Sequence, residues 1–294
     1  EMPMGLGVSS ELGYTVGVRV NGATTEYGVK GNSSGKMKLT APFFYSFDKK
    51  DLRRDITCCP FQWTKGVQTL QSFKSWSFGK LRYEWTNRMI PTGNDDGINR
   101  QYMRYADIVL MRAELENELN GASAAVPYLT KIRNRAFATS DRATEVTAYV
   151  AEAALSKEKM FQAIVDERAY EFAGELIRKA DLIRWGMLKS KMDETKNKMK
   201  AIVSLTDYDS KHPYSQLSGH AYYKMSAYTW TRNGIETTEK DAKLNLYGLN
   251  YGEMDINPEG YTEFSDSKGE ASTWIKDNAL EDVIDYLYVR DPDK

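Results

Sequence analysis

Residues 166–186 read DERAYEFAGELIRKADLIRWG, and the periodicity of this stretch decides the fold class. With the residues just before it, Phe161, Ile164, Val165 and Phe172 fall at helical spacing, which predicts a helix with a buried stripe. Glu167, Arg168, Glu171, Glu175 and Arg178 place charges three or four residues apart on the same helix. Gly174 stands where such a helix would stop. A second apolar run, Leu176, Ile177, Ala180, Ile183 and Leu188, resumes beyond it and carries Asp181, Arg184 and Trp185. The expectation is two helices meeting at an angle.

Two acids four residues apart invite comparison with a glycosidase, which needs a pair of carboxylates flanking the scissile bond. Glu171 and Glu175 fit that poorly, because residues at this spacing lie about 5–6 Å apart on one helix face rather than across a cleft. The expected role of Glu167, Arg168, Glu171, Arg178, Asp181 and Arg184 is instead an ion-pair network that sets how the helices cross, with no catalytic residue among them.

Upstream, RYADIVLMRAELENELNG at 104–121 sets Tyr105, Ile108, Met111, Leu115 and Leu119 in steps of three and four and ends on Asn120-Gly121. It predicts a helix of about four turns buried on that stripe. Ser123 is placed to cap a second helix, with Val126, Leu129, Ile132 and Ala136 on its apolar face. Lys131, Arg133 and Arg135 suit its negative C-terminal end, and Pro127 is tolerable near the first turn. Arg104 to Phe137 spans 34 residues as helix, turn, helix, the period of a tetratricopeptide unit. One such unit does not bury its own apolar faces, so partners are expected in further sequence or another chain.

These residues reach a known family. RYADIVLMRAELENELNG, then YLTKIRNRAF at 128–137, then ERAYEFAGELIRKADLIRWG resemble, in order and spacing, the C-terminal half of the SusD/RagB family. YSFDKKDLRRDITC at 45–58, with Asp48, Asp51, Arg53 and Arg54, resembles an earlier segment of that family. The recognisable motifs cover residues 43–188. The resemblance implies a non-catalytic, glycan-binding lipoprotein on the outer-membrane surface of Bacteroidetes-type bacteria, paired with a SusC-like TonB-dependent transporter for nutrient uptake. It implies a lipid anchor on a segment outside this chain, and tetratricopeptide-like repeats in a missing N-terminal part of the same protein.

The expected fold is mainly α: a tetratricopeptide-like hairpin and further helices at 102–201, flanked by loop-rich segments with few short strands. Residues 1–101 read as a loop-rich ligand-face segment and 202–294 as an aromatic, loop-rich C-terminal segment, together one continuous domain lacking its N-terminal repeats. At 41% hydrophobic and 28% charged the composition is that of a globular chain. Forty basic against 41 acidic residues leave a formal net charge of −1, without the basic stripe of a nucleic-acid binder. No run of about 18 apolar residues is present to span a membrane. The lysines between Lys189 and Lys200 alternate with Met192, Asp193, Glu194 and Met199, the solvated face of an amphipathic helix.

Motifs for other chemistries are missing. Adjacent Cys58 and Cys59 suit neither an ordinary mutual disulfide nor a four-ligand zinc site. His212 and His220 are eight apart without a glutamate at motif spacing. Asn94-Asp95-Asp96-Gly97 reads as a turn rather than a calcium loop. No GxSxG, Walker or dinucleotide motif appears, so neither a metal nor another cofactor is expected.

Aromatics gather instead among Gly, Ser, Thr and Asn on both sides of the helical middle. A sugar offers apolar C–H faces ringed by hydroxyls, which a flat ring beside polar groups matches. Tyr27, Trp76 and Trp230 are the preferred stacking candidates, with Tyr14 and Trp63 behind them. The alternatives to glycan capture are a protein–protein scaffold of the helical-repeat type and, less favoured, a glycan hydrolase using Glu171 or Glu175.

Overall fold

The computed structural model describes residues 10–22, 31–48, 50–59, 61–64, 67–71, 76–83, 96–204 and 206–216, and the backbone of short strands at 222–223, 228–231, 234–237 and 262–263. The first elements in chain order are α1 (Leu12–Val16), β1 (Val20–Asn21), α2 (Ala41–Ser46), α3 (Arg53–Thr57), β2 (Cys58–Cys59), β3 (Phe61–Thr64), β4 (Val67–Leu70) and β5 (Ser77–Phe78). The helices α4 (Tyr105–Asn120), α5 (Ala122–Ala136), α6 (Tyr149–Ala153), α7 (Lys157–Phe172), α8 (Arg178–Arg184) and α9 (Leu188–Ser204) follow. The strands β6 (Tyr222–Tyr223), β7 (Tyr228–Thr231), β8 (Gly234–Thr237) and β9 (Thr262–Glu263) complete them. The fold is mainly α, and its strands are two to four residues long. The chain divides into two compact units, one of residues 1–49, 57–99 and 185–294, the other of residues 50–56 and 100–184.

The second unit is built on α4 and α5. Arg104 is extended, Asp107 sits in the positively polarised first turn of α4, and the helix runs 16 residues to Asn120. Gly121 then adopts φ +90°, a backbone region that a side chain rarely enters, and reverses the chain. Gly121 itself is the N-cap of α5, so Ser123 lies inside that helix and does not cap it, contrary to expectation. Ser156 does cap α7, its hydroxyl accepting from the Lys159 amide at 3.1 Å. Past the end of α7, Gly174 and Leu176 both have positive φ, at +78° and +66°, and the chain turns into α8.

The core of this unit corrects the expected face of α4. Ala106, Val109, Leu110 and Ala113 are buried with Ala122, Ala125, Leu129, Ile132, Met160, Ala163, Ile164 and Phe172. Tyr105, Ile108, Leu115 and Leu119 are instead exposed, by 63, 49, 54 and 75%. The two stripes are parallel and one residue, about 100°, apart. The alanine-rich one faces inward because its small side chains let α4 and α5 approach closely. Leu176 and Ile183, expected in the second apolar run, are also exposed, while Leu182 is buried.

In the first unit, β1-β3-β4-β7-β8 form a five-stranded sheet. β1 runs parallel to β3, pairing Val20 with Trp63. β3–β4, β4–β7 and β7–β8 are antiparallel. β3 alternates, burying Phe61 and Trp63 and leaving Gln62 and Thr64 partly open. β2 pairs with β5, and β6 with β9, as separate ribbons. Aromatic rings fill the interior: Phe44 meets Trp76 edge-on at 5.1 Å and Tyr45 meets Tyr214 at 6.0 Å. From α9, Met199 and Ile202 are buried, whereas Lys189 and Asp193 pair on its outer side.

Candidate functional site

The carboxylates of α7 gather four arginines from three other segments of the helical unit. Buried Glu167 accepts from Arg53 Nη1 at 2.6 Å and from Arg133 Nη1 at 2.8 Å. Glu171 accepts from Arg104 at 2.6 Å, from Arg53 at 3.1 Å and from Arg135. Glu175 is gripped by the fork of Arg104 at 2.8 and 2.9 Å, and Arg53 closes the group on Asp51 at 2.6 Å. Arg168 forms a second group, forking onto Asp181 at 2.8 and 3.1 Å and reaching Asp107 at 2.7 Å. Arg184 joins Asp181 at 3.0 Å and Glu114 at 2.6 Å.

Of the six residues read as a network, Arg168, Asp181 and Arg184 thus pair with one another. Glu167 and Glu171 take their partners from Arg53, Arg104, Arg133 and Arg135, which the sequence reading did not include. Arg178 donates to the Val165 carbonyl at 2.8 Å. The guanidiniums of Arg104 and Arg168 also lie over the Phe172 ring, 4.5 and 4.9 Å from its centre.

This geometry decides what the acids can do. Burial opposes charge on Glu171, but the hydrogen bond from Arg104 and the charges of Arg104, Arg53 and Arg135 outweigh it and hold the carboxyl below the usual glutamate range. A glycosidase acid needs the reverse, a raised pKa that keeps a proton available. The depressed value has a consequence for stability. The pairing is fully present above the unfolded-state glutamate pKa and is lost as pH falls through the lower folded value. We expect acid titration of Glu171→Gln to unfold with a shallower pH dependence below pH of about 4.5 than the unsubstituted chain, read by circular dichroism.

The aromatic candidates fall in different places. Trp76 is fully buried, its indole N–H donating to the Gln71 carbonyl at 2.9 Å. Trp63 is buried beside Phe61, at 6.1 Å. For these two rings the stacking expectation is corrected, since irregular backbone around β3 and β5 is held down by the largest apolar surfaces nearby. Tyr14 is half-buried with Lys36 Nζ 5.5 Å from its ring centre. Tyr27 lies outside the described residues, and of Trp230 only the backbone, in β7, is described.

The remaining polar candidates are held by the protein itself. Asp96 is buried and accepts from the amides of Tyr14 and Ile98, each at 2.9 Å; Asn94 and Asp95 lie outside the described residues. Cys58 and Cys59 are buried and are not joined in a disulfide. His212 lies against Asp209 at 2.7 Å and Lys198 at 3.1 Å, while His220 lies outside the described residues. Among the described residues no three His, Cys, Asp or Glu side chains gather in a metal-binding group, and no helix is long and apolar enough to cross a membrane.

One surface escaped the sequence reading. Between α4 and α5 lies a cleft of 340 Å³ lined by Tyr105, Ile108, Val109, Arg112, Pro127, Tyr128 and Lys131. Lys131 donates to the Tyr105 hydroxyl at 2.9 Å. The signal was the presence of two apolar stripes on α4, one more than a hairpin needs.

The sequence model of the SusD family (SusD_RagB) matches residues 64–273, a range that holds the helical hairpin and the carboxylates of α7 but not Asp51 and Arg53. The chain belongs to the SusD family. A SusD-like protein, P25 of Formosa agariphila, is 48% identical over 90 residues, 31% of this chain and 16% of that protein. A crystal structure of a SusD homolog from Bacteroides thetaiotaomicron shares the fold, with a TM-score of 0.56 and 22% identity over 64% of this chain and 39% of that one. The matches thus span well under half the length of either SusD relative.

Proposed function

We propose that this chain belongs to a non-catalytic protein that captures oligosaccharide or polysaccharide at the bacterial cell surface and passes it to a SusC-like TonB-dependent transporter. The observation that carries the reading is the SusD family match over residues 64–273. The state of Glu171, charged and held by three arginines, supports capture over hydrolysis. Anchoring in the outer membrane through a lipid belongs to the same proposal.

Of the five aromatic candidates, Tyr27, Trp230 and Tyr14 remain as proposed stacking residues. The test is calorimetry of the complete protein against soluble polysaccharides and oligosaccharides, with released sugars assayed in parallel. We expect binding without release, and about a tenfold weakening in Trp230→Ala or Tyr27→Ala variants that stay folded, the contribution of one well-placed ring. Sugar release abolished by Glu171→Gln would replace capture with hydrolysis. Glycan binding by no variant and no parent would favour the scaffold reading, to which the exposed face of α4 lends support.

A further inference from the structure

In the first unit, residues 33–38 run along residues 14–20 and gather cations beside an aromatic ring. The Tyr14 carbonyl accepts from the amides of Ser34 and Gly35 at 3.1 and 3.0 Å, the Thr15 carbonyl accepts from Met37 at 2.9 Å, and Val20 bridges to Ser33. At Gly35 the two backbones come so close that an added Cβ would lie 3.0 Å from the Gly17 carbonyl oxygen and 3.1 Å from the Arg19 amide nitrogen. Lys36 sets its ammonium 5.5 Å from the centre of the Tyr14 ring. Lys38 is half-buried, and burial first, then the charge of Arg19, push its ammonium down to about 8. Among the described residues Arg19, Lys36 and Lys38 form no ion pair. Asp96, which accepts from the Tyr14 amide, is buried and committed to that amide and to the one of Ile98. Elsewhere Arg53, Arg104, Arg133, Arg168 and Arg184 each hold a carboxylate, so this group departs from the pattern of the chain.

We propose that Tyr14, Arg19, Lys36 and Lys38 form a subsite for an acidic sugar, one bearing a carboxylate or a sulfate ester, and that the polysaccharide captured is an anionic one. The Tyr14 ring takes an apolar C–H face of the sugar, and the cations take the acid group on its rim. Lys38 contributes most, because a charge partly withdrawn from water attracts an incoming anion more strongly than a fully solvated one. A bound anion also offsets the repulsion between Lys38 and Arg19 and restores the proton affinity that Lys38 loses to burial. A neutral sugar offers hydroxyls but no charge to set against three cations. The proposal rests on the glycan-capture reading and narrows it to a substrate class.

The complete protein is screened by affinity gel electrophoresis against neutral, uronate-bearing and sulfated polysaccharides. Each polymer that retards it is tested again after carboxyl reduction or desulfation, which removes the charge and keeps the linkage. The expected result is retardation by an acidic polymer, with the uronate or the sulfate arm naming the group, and binding at least about tenfold weaker once the charge is removed. The double variant Lys36→Gln/Lys38→Gln should weaken binding of that polymer at least about tenfold at unchanged Tm. Lys159→Gln, at an exposed lysine of the helical unit, leaves it unchanged. If the double variant lowers Tm, Arg19→Gln/Lys36→Gln, at two exposed positions, is read in its place. Retardation by neutral polymers alone, equal binding of an acidic polymer without its charge, or parent-like affinity in the double variant overturns the acidic subsite and leaves glycan capture standing. Retardation by no polymer overturns both.

Discussion

Replacing Glu167 with alanine is expected to lower the unfolding free energy by about 3–5 kcal/mol, the range for breaking a buried ion pair by removing one partner. Its carboxylate is fully buried and each oxygen serves a different arginine, Arg53 and Arg133. Removing it takes the carboxylate from Arg133 in a place where water does not replace the lost partner, while Arg53 keeps Asp51 and Glu171. Arg133 is the harder to rescue, since its charge is buried against the Tyr149 ring, 3.7 Å from the centroid, and the Glu145 carbonyl. Glu167→Gln keeps the acceptor oxygen and loses the charge, so it should cost less than alanine. Urea titration of both variants checks the order, with an unchanged m-value confirming that the same folded surface is being lost.

Trp76→Ala is expected to cost about 3–5 kcal/mol, the range for emptying a large buried aromatic site. The indole touches Phe44 and Tyr45, and its N–H meets the Gln71 carbonyl, so both a cavity and an unpaired acceptor follow. The measurement is again the denaturation midpoint, set beside Trp230→Ala. A Trp76 variant that keeps full stability would return this ring to the list of ligand contacts.

Much of the helical unit was legible because its signals are local. α4, α5 and α7 follow from three- and four-residue spacing, and the breaks at Gly121 and Gly174 follow from residues that tolerate positive φ. The inward face of α4 was not legible, because two stripes compete and large side chains outweigh alanines in any count, whereas close helix packing prefers the alanines. The partners of Glu167 and Glu171 were hidden for another reason. Arg53 lies 114 residues from Glu167, and nothing in the spacing along α7 points to it. Strands of two to four residues depend on pairing across the sheet and leave too short a pattern to read. In the candidate site, an aromatic among turn residues looks the same in sequence whether it points outward, as proposed for Trp230, or inward like Trp76.

The helical unit draws on two separate pieces of chain, residues 50–56 and 100–184, and this discontinuity orders its assembly. α4, α5 and α7 meet through contacts of shorter sequence separation, such as the 61 residues between Asp107 and Arg168, at a smaller loop-closure cost. Arg53 must close a loop of more than a hundred residues before it reaches Glu167 and Glu171. Until then those two carboxylates hold only the arginines of the nearer helices. We expect the arrival of residues 50–56 to be a late step of assembly, the last to complete the partners of Glu167 and Glu171.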